Sequence, residues 1–366
     1  MKQNKIYIKG DKSMKKALGS LLLAGSLVLA GCGNDAKPEK SDNGGGEEPN
    51  KLVVTSFGGD YEKAQMEYLI KPFEKEFNAE VEVVTLYSAD ALAKLRAQKN
   101  APEIDVVQFS GGQEIQAAKE DLILEIDSDI VKNTGELYDN AKKTNYGPAI
   151  AFDALGLLYN TELVKEAPTS WEDLWKKEYK GKVGLVDISN TYGLQFLAMM
   201  AKLHGGDEEN IDPGFEKIKT LLPNTASVVA TTPDMGNLFA QEEVVIAPYD
   251  AGYAFNFSKQ GQPIGFVIPD EGAMAVFINM QVVKGTESPK LAQEFVNYSL
   301  RPEVQKAFAE ETGFAPTNKN VEISEELAKV MPYGEEAVNS LVDLNWEVAN
   351  NNKDDWTDRW NKMISQ

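Results

Sequence analysis

The chain has 366 residues and a formal net charge of −20, with a single cysteine and a single histidine. This balance excludes nucleic-acid binding, because phosphate recognition needs clustered Lys and Arg, and the chain has only three arginines. One cysteine excludes an intrachain disulfide, and the length allows one large domain or two medium lobes.

The N-terminal region has the pattern of an export signal. Two lysines precede a short apolar run over 17–30, and the run ends in Leu-Ala-Gly-Cys at Cys32. This run is too short to span a bilayer, and its small residues are typical of a cleavage site. The ending resembles the bacterial lipobox, in which cleavage precedes a cysteine that takes a diacylglyceryl group. We therefore predict a signal peptide over 1–31, with Met14 as an alternative start, and lipidation of Cys32.

A polar segment follows the signal. Residues 33–50 are rich in Gly, Pro, Lys, Asp and Glu and contain no apolar residue larger than Ala. Such a composition cannot bury enough surface to fold, so we predict a flexible tether over 32–50. Residues 1–31 hold six lysines and one aspartate, so their removal takes the net charge to −25. A strongly acidic surface favours solubility and is compatible with cationic ligands.

The folded part begins with strands that alternate with helices. The pattern predicts strands over 51–57, 78–84 and 103–107, and helices over 61–77 and 89–99. Such alternation predicts a parallel sheet with right-handed crossovers. Ligands bind beyond the carboxyl ends of such strands, which is where the turns Gly58-Gly59 and Ser110-Gly111-Gly112 are expected.

The pattern resumes in a second α/β unit after residue 148. The predicted elements are an extended run over 149–160, strands over 183–186 and 244–248, a helix over about 192–203, two extended runs between 263 and 283, and a helix over about 289–300. We read the last helix as part of the first unit. The expected domains are therefore one lobe over 51–147 and 272–325, and a second lobe over 148–271 and 326–366.

The sequence has no catalytic or metal-binding motif. His204 stands beside Gly205-Gly206 without any metal-ligand spacing, so we interpret it as a helix C-terminal residue. Nucleophile-elbow, zinc-helix and phosphate-loop patterns are missing from the sequence. We predict no enzyme activity, no metal and no cofactor. A hydrolase that uses two carboxylates stays open, because carboxylate separation depends on the fold.

Aromatic and small polar residues recur at predicted loop positions. Aromatic walls with few polar groups are typical of small-molecule sites, although each ring taken singly is equally compatible with a core contact. These residues are Phe57, Tyr61, Tyr87, Phe109, Ser110, Tyr192, Tyr249, Asp250, Tyr253 and Phe277.

Several motifs are spread over the whole predicted mature domain. They include Ser56-Phe-Gly-Gly-Asp-Tyr61, Pro168-Thr-Ser-Trp-Glu-Asp-Leu-Trp175, Phe295-Val-Asn-Tyr-Ser-Leu-Arg-Pro-Glu-Val-Gln305 and Trp356-Thr-Asp-Arg-Trp360. Together they resemble the solute-binding proteins of bacterial ABC importers, in the spermidine/putrescine-binding-like branch. The resemblance implies an α/β, two-lobe periplasmic-binding-protein fold with a ligand cleft between the lobes. It also implies a monomer that delivers a small solute to an ABC permease, lipid-anchored on the extracellular face of the membrane of a single-membrane bacterium.

The resemblance implies ligand roles for three segments. The matching residues are Phe57 and Tyr61 after the first strand, Phe109 and Ser110 after the third, and Tyr249 with Asp250 in a cleft-lining segment. In polyamine binders of this family, acidic residues at two further places hold the ammonium groups. Asp187 stands near the first place, whereas Ile278 or Asn279 stands where the second acid is expected. The missing acid disfavours a polyamine, because a buried ammonium without a counter-charge costs several kcal/mol.

These considerations lead to a small amine-bearing or zwitterionic solute as the expected ligand. Its anionic end is expected at the glycine turns and at Ser189-Asn190-Thr191, and its amine at Asp250. A polyamine is the alternative, and a secreted carboxylate-dependent hydrolase or an adhesion lipoprotein are the other function classes. The predicted ligand-binding residues are Phe57, Gly59, Tyr61, Phe109, Ser110, Asp187, Thr191, Tyr192, Tyr249, Asp250, Tyr253 and Phe277.

Overall fold

A computed structural model describes residues 50–365. The predicted signal peptide, Cys32 and almost all of the predicted tether lie outside these residues. The strands are β1 (Lys51–Ser56), β2 (Glu80–Thr85), β3 (Val106–Phe109), β4 (Ala149–Asn160), β5 (Val183–Val186), β6 (Thr225–Val229), β7 (Ile246–Asp250), β8 (Ile264–Val267), β9 (Met274–Val282) and β10 (Ala315–Pro316).

Helices of very different length connect the strands. A π-helical turn over Met66–Ile70 joins the first two of them into one continuous helix. Among residues 50–365, no helix combines the length and the apolar character that a membrane span requires. The helices are α1 (Gly59–Gln65), α2 (Lys71–Phe77), α3 (Ser88–Ala97), α4 (Gln113–Lys119), α5 (Thr191–Leu203), α6 (Asp212–Leu221), α7 (Thr232–Ala240), α8 (Ala251–Lys259), α9 (Pro289–Ser299), α10 (Pro302–Thr312), α11 (Glu325–Ala328), α12 (Glu335–Asn339) and α13 (Trp346–Ile364).

The strands form one sheet of ten strands, whose main order is β2-β1-β3-β9-β4-β7-β5-β6. β1 pairs in parallel with β2 and β3, and β5 pairs in parallel with β6 and β7, as strand and helix alternation predicts. β9 and β4 lie between these groups and run antiparallel to their neighbours. Two parallel α/β units are therefore joined through two antiparallel central strands.

β4 passes from one unit to the other. Its first half pairs with β9 and β10, and its second half pairs with β7 and β8. The strand has 12 residues, and all but Tyr159 are buried. A nearly continuous apolar run of this kind is expected for a strand that is covered on both faces.

Two hydrophobic cores meet near the middle of β4. Phe152 packs in the first core, with Phe73 and Phe295, whereas Leu155 packs in the second core, with Trp171. β9 divides in the same way, because Ile278 belongs to the first core and Met274 to the second. The α/β, two-lobe fold thus has a main core in each lobe, and two smaller clusters of buried residues include Phe109 and Tyr249, respectively.

We propose lobe boundaries inside β4 and β9, because the cores change there. The first core also includes Leu327, Met331 and Val338. These residues lie beyond position 325, where the sequence analysis placed the start of the second lobe's C-terminal segment. α13 packs in the second core through Trp356 and Trp360, so the chain returns to the second lobe only near this helix.

Candidate functional site

A cavity of about 790 Å³ lies at the carboxyl ends of the parallel strands of both lobes. Its wall includes residues that follow β1, β2, β3, β5, β6 and β7, which is where ligands bind in open α/β sheets. The volume is within the range of small-molecule sites, about 300–1,000 Å³. The cavity is therefore the candidate binding site.

The structure places seven of the twelve predicted residues in the cavity wall. Three local features bring them there. Gly58 and Gly59 adopt positive φ values of 80° and 60°, which turn the chain from β1 into α1. Ser110 directly follows β3, and the Asn190 side chain caps α5 by accepting a hydrogen bond from Tyr192 N (3.0 Å). The seven residues are Phe57, Gly59, Tyr61, Ser110, Thr191, Tyr192 and Tyr253.

Phe109 and Phe277 lie outside the wall. Phe109 is fully buried and packs in a hydrophobic cluster with Leu92 and Leu95 of α3. Phe277 packs against Phe152, with ring centroids 5.4 Å apart, and lies under the ammonium of Lys143. Both rings serve packing.

Tyr249, Asp250 and Asp187 lie behind the wall and support it. The Tyr249 hydroxyl donates to Thr232 Oγ1 at 2.6 Å, so the ring sits one layer beneath a wall residue. Asp250 Oδ1 accepts from Tyr253 N at 2.9 Å and caps α8. Asp187 Oδ2 accepts from Trp360 Nε1 at 3.1 Å. These side chains position the wall rather than forming it.

Aromatic rings form a continuous band in the cavity wall and, at Tyr249, directly behind it, which we call the aromatic band. Phe314 of this band was not predicted, because it follows α10, far from the other rings in the sequence. The successive ring centroids are Phe57 to Tyr61 at 5.3 Å, Tyr61 to Phe314 at 5.7 Å, Phe314 to Tyr253 at 6.4 Å, Tyr253 to Tyr249 at 6.0 Å, and Tyr249 to Tyr192 at 5.2 Å.

Two carboxyl groups are buried together next to the aromatic band. Asp153 of β4 accepts hydrogen bonds from Ala251 N (3.1 Å) and Gly252 N (3.2 Å), beside the helix cap formed by Asp250. Burial and the neighbouring Asp250 raise the pKa of Asp153 well above its ordinary range, and burial raises the pKa of Asp250 to about 6. Burial and the charge of Asp250 also raise the pKa of Tyr192, so its phenol stays protonated. We call Asp153 and Asp250 the carboxyl pair.

The cavity wall contains few charges. Among the described residues that line it, only Asp60 and Lys353 are charged. Asp60 pairs with Lys63 at 2.7 Å, and its side chain is 49% exposed. No described group of Cys, His, Asp and Glu side chains could hold a metal ion. Besides the four wall tyrosines, the other polar wall side chains are the hydroxyls of Ser88, Ser110, Ser189, Thr191, Thr231, Thr232 and Thr312 and the amides of Gln113, Asn190, Asn237, Asn256, Gln260 and Gln262.

Comparison with known proteins identifies the relatives of this chain. Residues 68–331 match the family model described as bacterial extracellular solute-binding protein. The spermidine/putrescine-binding periplasmic protein of Escherichia coli is 28% identical over 262 residues, covering 68% of this chain and 74% of that protein. The gamma-aminobutyric acid-binding protein of Pseudomonas aeruginosa is 27% identical over 282 residues, covering 73% of this chain and 77% of that protein.

The fold has close counterparts among solved structures. The crystal structure of an ABC transporter from Clostridium perfringens matches with a TM-score of 0.73 and 29% identity, covering 86% of this chain and 99% of that chain. These findings confirm both the resemblance seen in the sequence and the two-lobe fold. The chain belongs to the family of bacterial extracellular solute-binding proteins, whose members bind small solutes for ABC importers.

Proposed function

We propose that this protein captures a small amine-bearing or zwitterionic organic solute and delivers it to its membrane permease. The cavity carries this proposal, because its wall is drawn from both lobes and combines the aromatic band with hydroxyl and amide groups. A ligand that touches both lobes at once stabilises the closed form and shifts the population towards it.

The aromatic band and the carboxyl pair suit an ammonium group. Tyr192 and Tyr253 line the cavity, and the charge of Asp250 lies close to both phenols. A cation over an aromatic face is stabilised by about 0.5–2 kcal/mol, and more when it is shielded from water. The buried negative charge nearby adds to this attraction.

A polyamine is the second candidate, and the name of the Escherichia coli relative favours it. It would bring at least two ammonium groups into the cavity. The described wall offers a single carboxylate, Asp60, which is already paired with Lys63. Burying an unpaired ammonium is costly, so the wall favours a ligand with one amine.

The cavity gives less support to a carboxylate-dependent hydrolase. Glycoside hydrolysis of this type uses two carboxyl groups that flank the scissile bond. Asp60 supplies one in the described wall, and the carboxyl pair is fully buried behind it. The geometry therefore favours binding over hydrolysis.

We also propose that the protein is a monomer held on the extracellular face of the cell membrane by a lipid on Cys32. The apolar run and the Leu-Ala-Gly-Cys ending support this proposal. The intact mass of detergent-extracted protein should show a diacylglyceryl-modified N-terminal cysteine. Cys32→Ser should lack this mass and fail to mature at the same site, and an unmodified wild-type cysteine would contradict the proposal.

A thermal-shift screen of the purified protein tests the ligand class. The panel contains amino acids, opine-like conjugates, aminophosphonates and polyamines. At about 100 times its Kd, a ligand adds about 2.7 kcal/mol to the free energy of unfolding. We expect a shift of several degrees with a zwitterion. A shift with spermidine or putrescine alone would establish the polyamine alternative, and turnover of any compound would favour the hydrolase.

A further inference from the structure

We infer that Lys353 recognises an anionic group of the solute, so that the solute carries an oxyanion, such as a carboxylate or a phosphonate, in addition to its amine. This inference rests on the proposed function and narrows its ligand class from amines in general to zwitterions. Lys353 was not among the predicted site residues. It reaches the cavity from α13, near the C-terminus.

Contacts of α13 place Lys353 between the two lobes. Asn350 Nδ2 donates to Gly112 O at 3.2 Å, in the turn between β3 and α4. Lys353 lies three residues further along, and residues three apart share a helix face. Further along α13, Trp360 Nε1 donates to Asp187 Oδ2 in the turn before α5. Lys353 therefore lies between a contact to the first lobe and a contact to a turn of the second.

The ammonium of Lys353 has no counter-charge among the described residues. Among residues 50–365 it forms no ion pair and donates no hydrogen bond, although the chain carries 57 acidic residues. Two other cations at α13 are paired, Lys119 with Glu347 at 2.6 Å and Arg359 with Asp212. Lys353 is also partly buried. A partly buried cation that lines a cavity is best satisfied by an anion inside that cavity.

Neutral hydrogen-bond donors line the same cavity as this cation. Ser110 and Thr191 belong to the cavity wall, and the two lobes meet there. Gly111 approaches Thr191 so closely that a methyl group on Gly111 would lie 3.0 Å from the Thr191 hydroxyl. Hydroxyl groups and an ammonium that line one cavity can together donate hydrogen bonds to a carboxylate or a phosphonate.

The carboxyl pair and Lys353 give the cavity an electrostatic polarity. Asp153 and Asp250 are buried at the start of α8, whereas Lys353 projects from α13. A simple amine leaves Lys353 unpaired, and a polyamine adds further positive charge near it. A zwitterion supplies an ammonium for the region near the carboxyl pair and an anion for Lys353. Contact between this anion and Lys353 would stabilise the position of α13 in the closed form.

A series of four-carbon probes tests which terminal group, opposite the ammonium, the site binds most tightly. γ-Aminobutyrate, butylamine and putrescine share an ammonium group and end in a carboxylate, a methyl and a second ammonium, respectively. 3-Aminopropylphosphonate adds a second oxyanion, and the tightest zwitterion of the thermal-shift screen completes the set. Isothermal titration calorimetry with the purified full chain measures each affinity.

We expect the wild type to bind at least one oxyanion-bearing probe more tightly than butylamine or putrescine. Lys353→Gln should weaken that binding by about 10- to 100-fold, the effect of one charged hydrogen bond. Lys353→Arg should restore most of the affinity. Lys362→Gln, which removes an exposed lysine of the same helix, should leave it unchanged.

The outcomes separate this inference from the proposed function. If a zwitterion binds wild type and Lys353→Gln equally well, the inference fails and the proposed function stands. If butylamine or putrescine binds but every oxyanion-bearing probe fails, the inference fails and the ligand is a simple amine or polyamine. If no compound binds, the inference and the proposed ligand class both fail.

Discussion

Replacement of one member of the carboxyl pair should stabilise the protein. Asp250 Oδ1 accepts from Tyr253 N, whereas Oδ2 accepts no hydrogen bond of standard geometry from the described residues. In Asp250→Asn, the amide oxygen can keep the helix cap, and the NH2 group can donate to Asp153. The substitution therefore removes the buried charge of Asp250 and its repulsion of a charge on Asp153.

The pKa of Asp250 sets the size and the pH range of this effect. Burial raises it from the ordinary 3.8 to about 6. A carboxyl group with a higher pKa in the folded state binds more protons when folded, so the free energy of unfolding falls as pH rises from 3.8 through 6. The loss is about 3 kcal/mol, because each pKa unit corresponds to about 1.36 kcal/mol. Asp250→Asn should avoid this loss.

Urea denaturation of wild type and variant at pH 4 and pH 8 measures the effect. We expect similar stability at pH 4, and at pH 8 a variant that is more stable by about 3 kcal/mol. The difference between the two proteins isolates the carboxyl pair from the other acids of the chain. A variant that is less stable than wild type at pH 8, or that keeps the same pH slope, would refute the reasoning.

Asp153→Asn is the matched control. Asp153 accepts hydrogen bonds from the backbone N–H groups of Ala154 (2.7 Å), Ala251 and Gly252. Burial and Asp250 nevertheless hold the pKa of Asp153 well above its ordinary range, so Asp153→Asn leaves the buried charge of Asp250 in place, whereas Asp250→Asn removes it. We expect Asp153→Asn to be the less stable of the two variants at pH 8. Equal stability would show that the two carboxyl groups are equivalent.

Three further substitutions test the packing around the cavity. Gly112→Ala should lower the free energy of unfolding in urea by about 2–4 kcal/mol, because φ is +76° and the new methyl would lie 2.5 Å from Trp346; an unchanged midpoint would contradict this. Trp360→Phe should cost about 1–3 kcal/mol in the same assay, since Asp187 loses its indole donor, and a neutral result would argue against that bond. Tyr87→Ala should change stability by less than about 0.5 kcal/mol, because the side chain is 67% exposed, yet weaken ligand binding in calorimetry, because it lines the cavity. Unaltered affinity would place Tyr87 outside the ligand contacts.

Local sequence patterns were sufficient for the elements that neighbouring residues specify. Alternating strands and helices over 51–109 predicted the parallel unit of β1, β2 and β3, and the glycine turn after β1 lies in the cavity wall. The predicted strand over 103–107 is observed at Val106–Phe109, because an apolar run does not define its own ends. The half-exposed edge strand β6 lacked a strong apolar signal and was not predicted.

Only the tertiary structure decided which strands are neighbours. β9 pairs with β3 and β4, although more than 160 residues separate it from β3. This order arises from packing of two cores around central strands, which no local pattern records. The alternation of strands and helices predicted parallel pairing, so it did not predict the two antiparallel strands at the centre of the sheet.

The site shows the same division. Residues in turns directly after strands could be predicted from the sequence, as Phe57 and Ser110 show. Phe314 and Lys353 enter the cavity from distant C-terminal segments, and Asp153 is hidden inside the apolar run of β4. The sequence determines which residue types follow each strand. Whether a side chain of a strand or of a distant segment lies in the cavity wall or in the core is decided only when the chain folds. The physical reason is that burial and electrostatic environment depend on contacts between residues far apart in the chain.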